Sequence, residues 1–148
     1  MFQAFPFAQV IFNSIKIAVI VVIANLFIST MAGFAFARIK FKGKNVVFLI
    51  ILAGMMIPSQ AKLIPTYLVM SKMGLVGTHW SLILPAIINP INIFFVRQYM
   101  MTIPGSYEEA AYIDGAGRFT IYLRIFLPMS KSVIIMTSML TFLASWND

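Results

Sequence analysis

The chain has 148 residues, 61% hydrophobic and 10% charged, with a mean hydropathy of +0.94. A soluble domain carries roughly 25% charged residues, so this composition excludes one and predicts an all-α, polytopic membrane protein of about four spans. The net charge of +7 would suit nucleic acid, but its placement follows membrane topology instead, and with no cysteine there is no disulfide or thiol chemistry.

Met1 to Gln9 is aromatic and uncharged, an interfacial lead-in with Phe2, Phe5 and Phe7 near the headgroups. The first span is predicted over 10–37. Lys16 lies near its start and snorkels outward. Ala24, Ser29, Ala32, Gly33, Ala35 and Ala37 are small, which suits close helix packing in lipid. Arg38, Lys40, Lys42 and Lys44 follow at once. Four cations between two spans mark a cytoplasmic loop, so the chain starts outside.

The second span is predicted over 45–67. Its apolar run, Val46 to Ile57, is too short to cross alone and must continue through Pro58-Ser59-Gln60. A proline break with polar neighbours points either to a translocation path or to a packing kink re-satisfied by other helices. Gly77 and His79 fall in an outer connection, and Trp80 reads as an interfacial anchor. The third span is predicted over 81–101, with Pro85, Asn89, Asn92, Val96 and Tyr99 on one helical face. Asparagines at mid-depth must bond to something, either neighbouring helices or a solute.

The stretch from Pro104 to Thr120 is unlike the rest. It holds Glu108, Glu109 and Asp114, three of the four acids of the chain. Ser106 and Glu109 have the spacing of a capping box. Gly115 and Gly117 stop a short helix, Thr120 is placed to cap a second one through Ile125, and Pro128 opens a fourth span over 128–148. A lone cap with good helix formers is the plain reading of such a segment. Its small side chains also leave a surface that another protein's backbone can approach. Eight cations (38, 40, 42, 44, 97, 118, 124, 131) then fall on one side and three (16, 62, 72) on the other. No catalytic constellation, phosphate-cradling glycine loop or metal-ligand cluster is present in the sequence, so no enzymatic activity is expected.

Glu109-Ala110-Ala111, three residues, Gly115, nine residues, Ile125, one residue, then Leu127-Pro128 resembles the EAA loop of bacterial ABC importer permeases, with Asp114 before the glycine as is common there. The wider run from Asn13-Ser14 to Trp146-Asn147-Asp148 is similar to the carbohydrate-importer branch, of the maltose and glycerol-phosphate type, notably Phe94-Phe95-Val96-Arg97-Gln98-Tyr99 and Ile103-Pro104. The resemblance implies a type I permease fold in the bacterial inner membrane. It also implies a cytoplasmic helix-turn-helix coupling loop over 104–127 that docks on an ATPase dimer through Glu109, Ala110, Ala111, Asp114, Gly115, Ile125, Leu127 and Pro128. Further implied partners are a second permease subunit and an extracytoplasmic solute-binding protein. ATP would be used by the ATPase and no cofactor held by this chain. Gln60, Asn89 and Asn92 are the candidate solute-path residues. Permeases of this type have about two further spans, one at each end, so the chain is expected to be a partial domain. A peptide or amino-acid permease and a channel or scaffold without an ATPase are the alternatives.

Overall fold

The computed structural model describes residues 7–147, and these are helical with short connections. The readings of Phe2, Phe5 and Asp148 lie outside the described residues. Helix α1, Phe7–Arg38, is 32 residues long and carries only Lys16 and Arg38 as charges. Its buried stripe is Ala18, Val21, Asn25, Ser29, Thr30, Gly33 and Phe34, while Phe12, Ile23 and Phe27 are exposed. Small and polar residues make up most of this stripe, with Val21, Phe34 and Phe36 also buried, and further bulky apolar residues face out, as expected where lipid is the solvent.

Helix α2, Lys44–Ala53, ends in a tight turn over Gly54–Met56, and α3, Ser59–Lys72, leaves at 104° to it. Ile57, held extended (φ −83°, ψ 116°) ahead of Pro58, makes the corner. The predicted second span over 45–67 is therefore not one rod. Its first arm is about 20 Å long at 1.5 Å per residue, short of a hydrocarbon core of about 30 Å.

Helix α4, Trp80–Ala86, and α5, Pro90–Thr102, together make a 23-residue span interrupted at 87–89. The proposed common face of Pro85, Asn89, Asn92, Val96 and Tyr99 is broken there. Asn89 is extended (φ −118°, ψ 109°) and caps α5, its side chain accepting from the Ile91 N–H at 3.0 Å. Helix α6, Ser106–Ile113, follows. Helix α7, Arg118–Ile121, continues through a widened π turn, Tyr122–Phe126, into α8, Leu127–Met129. The last helix, α9, Lys131–Asn147, turns away from this segment by 78°. Among the described residues two helical stretches are long and apolar enough to cross a membrane, and the two bent pairs would raise that to four.

Asn25 lies by Asn92, Gly33 by Val96, and Arg38 by Met100 and Ile103. The pairs climb together, so α1 and α5 run parallel. At Gly33 a methyl group would meet Val96 Cγ1 at 2.5 Å and the Arg97 amide nitrogen at 3.1 Å, so only glycine allows this approach. The larger buried cluster sits at the end reached by Arg38. It contains Phe34, Val96, Met100, Ile103, Ile121, Tyr122, Phe126 and Val133. It lies beneath the loop rather than midway along the span.

Candidate functional site: the loop between α5 and α9

Helix α5 stops at Thr102 because Ile103 is extended (φ −71°, ψ 127°) before Pro104. The predicted capping box does not form. Gly105, helical at φ −65°, takes the cap position, and the Glu109 N–H is bonded to the Gly105 carbonyl at 3.0 Å. Ser106 is thus already inside the first turn, too late to cap. The other end of α6 closes as the glycine predicts. Gly115 has φ +78°, its N–H reaches the Tyr112 carbonyl at 3.0 Å, and the Ala116 N–H reaches that of Ala111 at 2.9 Å.

Thr120 does not cap the next helix. It lies inside α7, whose cap position is Gly117. Nor does that helix end at Ile125, and Pro128 does not open the last span. Pro128 sits inside the bent segment, and the break falls at Ser130 (φ −92°, ψ 13°). The π turn just before the proline has a physical reason. Pro128 offers no N–H, and its ring crowds the preceding carbonyls. The Leu127 N–H bonds back five residues to the Tyr122 carbonyl, which widens the helix there.

The motif residues divide into two sets. Ala111, Ile125 and Leu127 pack against the buried cluster, with Ala116 beside them. Glu109, Ala110, Asp114, Gly115 and Pro128 are exposed. Ile113, at the tip of α6, is 86% exposed, and Tyr107, Tyr112 and Phe119 are also exposed around it. The loop thus presents apolar and aromatic side chains beside the exposed Glu109 and Asp114. Ile113 is not one of the motif positions, and its signal in the sequence is a lone isoleucine beside Asp114-Gly115. Behind the loop is a cavity of about 190 Å³ bounded by Arg38, Lys40, Glu108, Tyr112 and Arg118.

The three candidate path residues are not gathered together. Gln60 is exposed in the first turn of α3 and accepts from the Ser59 hydroxyl at 3.2 Å. Asn89 is the cap of α5. Asn92 is 1% exposed, and its amide donates to Asn25 Oδ1 at 2.6 Å and to Thr141 Oγ1 at 2.7 Å, linking α5, α1 and α9. Asn25 in turn donates to the Ile87 carbonyl at 3.0 Å, one of the groups freed where α4 and α5 break. The Asn92 amide thus bonds to neighbouring helices, while its Oδ1 is buried without a partner. Asn25 and Thr141 were missed in the sequence, because a polar residue within an apolar run does not announce its partner.

A profile of the family described as "Binding-protein-dependent transport system inner membrane component" matches residues 24–148. The chain belongs to this family. It is 37% identical over 138 residues to "Probable ABC transporter permease protein YurM" of Bacillus subtilis, covering 92% of this chain and 46% of that protein. It is 39% identical over 136 residues to "Arabinooligosaccharides transport system permease protein AraQ" of Halalkalibacterium halodurans, covering 92% and 49%. A third relative is "sn-glycerol-3-phosphate transport system permease protein UgpE" of Rhizobium meliloti, 33% identical over 140 residues, covering 95% and 50%. Among solved structures, the fold matches a chain of a bacterial ABC transporter involved in the import of the acidic polysaccharide alginate. The TM-score is 0.84 at 27% identity, over 91% of this chain and 48% of that one. The chain spans about half the length of the curated relatives it matches. The all-helical fold of the family's permease component is therefore present here in part, as the sequence predicted.

Proposed function

We propose that the protein is the membrane-spanning permease subunit of a binding-protein-dependent ABC importer that carries a sugar or sugar derivative into the cytoplasm. In this reading the loop over 104–127 is the contact with a separate ATPase dimer. A second permease subunit completes the pathway and an extracytoplasmic binding protein delivers the solute. ATP is bound and hydrolysed by the ATPase subunits, with no cofactor in this chain. The observation that carries the reading is the two-sided loop. Ala111, Ile125 and Leu127 root it in the buried cluster, while Glu109, Ala110, Ile113, Asp114 and Gly115 face outward. The names of the relatives, which mention arabinooligosaccharides and sn-glycerol 3-phosphate, favour a polyhydroxylated solute.

The test is co-expression of the full-length permease with its ATPase. The unaltered protein should retain the ATPase through purification and take up a radiolabelled oligosaccharide in an ATP-dependent way. Glu109→Lys and Gly115→Leu should each lose ATPase retention and uptake while the permease stays in the membrane. Retention and uptake at the unaltered level in both variants would sink the docking role. An unaltered protein that holds no ATPase would favour a channel or scaffold.

A further inference from the structure

The loop leaves the helical body at Ile103 and rejoins it at Phe126. Both roots meet the same side chain of another element, Arg38 at the end of α1. Arg38 Nη2 donates to the Met100 carbonyl in the last turn of α5 at 2.7 Å and to the carbonyl of Ile103, the residue before the loop. The same guanidinium lies over the Phe126 ring, 4.7 Å from its centroid. Arg38 Nε is buried and has no partner. A cation at the carboxyl end of α5 is favoured by the helix dipole, and a planar guanidinium can serve two carbonyls from one nitrogen while its face covers a ring.

A second fixture lies deeper on the same face of α1. Thr30, Phe34 and Arg38 are spaced by four residues, as are Tyr122 and Phe126 opposite. Thr30 Oγ1 donates to the Leu26 carbonyl at 2.7 Å. The 2.8 Å contact between Thr30 Oγ1 and the Tyr122 hydroxyl therefore has tyrosine as donor. Phe34 sits between them, its ring centroid 5.4 Å from that of Tyr122 and 5.1 Å from that of Phe126. The arrangement is directional. Hydrogen bonds weaken steeply with misalignment, so neither root can shift far without breaking these bonds or taking α1 along.

We propose that Arg38 is a positioning residue that clamps both roots of the loop to α1, so that displacement of the loop by the ATPase turns α1 and α5 with it. This rests on the loop being the ATPase contact. A mere cap on α5 would set stability alone; a clamp also sets how much of the loop's movement reaches the far end of the pair.

The test places a reporter at that far end. His79, exposed in the connection that leads into the α4–α5 span, is changed to cysteine in the full-length permease, assembled with its ATPase. Its labelling rate with a maleimide is compared without nucleotide and with ATP plus vanadate. The rate should change with nucleotide in the otherwise unaltered protein. In Arg38→Gln the ATPase should still co-purify and hydrolyse ATP, while the nucleotide-dependent change shrinks about fivefold or more. Arg38→Lys, which keeps the charge but not the planar face over Phe126, should shift the change in the direction of Arg38→Gln, and Phe126→Leu should do the same. If Arg38→Gln fails to assemble, Arg38→Lys and Phe126→Leu carry the comparison. A full nucleotide response in Arg38→Lys and Phe126→Leu overturns the clamp, as does a full response in Arg38→Gln with only its melting temperature lowered. Labelling that ignores nucleotide in the unaltered protein, with ATPase bound, overturns it too. No ATPase bound to the unaltered protein overturns the docking reading and the clamp together.

Discussion

Gly33 is where a single methyl group matters most. In Gly33→Ala the new Cβ would lie 2.5 Å from Val96 Cγ1, 2.9 Å from Val96 Cβ and 3.1 Å from a backbone nitrogen. Only the first of these can swing away. The expected cost is about 1–3 kcal/mol, seen as a lower melting temperature of the detergent-solubilised protein. Adding Val96→Ala should restore part of it and not all, because the backbone contact stays. Complete rescue would show that α5 gives way more readily than its packing implies. Gly115 is the opposite case. Its φ of +78° strains any other residue, but nothing lies within 4 Å of an added Cβ. Gly115→Ala should therefore cost only roughly 1–2 kcal/mol of backbone strain and reshape the turn without disturbing the core. At Asn92, leucine would remove the bonds to Asn25 and Thr141. A loss of about 1–2 kcal/mol and of assembled complex is expected, with solute preference unchanged. Altered preference with intact assembly would instead return Asn92 to the solute path.

At the scale of elements, what was legible in the sequence was the existence of the helices, and what was not was their bends. Long apolar runs such as Val10 to Ala37 leave the backbone no partner but itself in lipid, so α1 could be read as one unbroken helix, though it begins at Phe7, inside the predicted lead-in. The corner at Ile57-Pro58 could be placed but its 104° could not, since the angle is set by what the two arms pack against. The loop was legible through its glycines and its alanine pair, whereas its capping box failed because the helix starts one residue early at Gly105. The π turn was invisible in the sequence and follows from Pro128 acting on a segment already held by Tyr122 and Phe126. Pro128→Ala tests which of these dominates. If the proline sets the turn, restoring the N–H should tighten the segment and move Gly115 relative to Lys42. Spin labels at those two positions would report the shift. An unchanged distance would assign the π turn to the packing of the two aromatic rings.

For the molecule as a whole, the placement of charge is the feature that the sequence carried most directly. Arg38, the ends of α5 and α1, and the loop all gather at one end. His79 lies exposed in the connection between α3 and α4. If the basic end is cytoplasmic, His79→Cys should react with an impermeant thiol reagent in intact cells, while Lys42→Cys and Gly115→Cys react only after the membrane is opened. The chain has no cysteine of its own to confuse the result. The reverse pattern would put the loop out of reach of any cytoplasmic ATPase.

The α1–α5 pair is bound at two levels. One is the Asn25–Asn92 bond, midway along α1 and near the start of α5. At the other, Arg38 reaches the α5 carbonyls while Arg97 Nε of α5 donates to the Phe36 carbonyl of α1 at 3.3 Å and its guanidinium lies 4.2 Å from the centre of the Phe48 ring. Asn25 and Arg38 are about 20 Å apart along the axis at 1.5 Å per residue. Two parallel rods bolted at two points that far apart cannot slide or scissor. They can only tilt and roll together, as a single lever. Label pairs set across α1 and α5 should accordingly keep one distance throughout the nucleotide cycle, and pairs joining this lever to α3, beyond the 104° corner, should not.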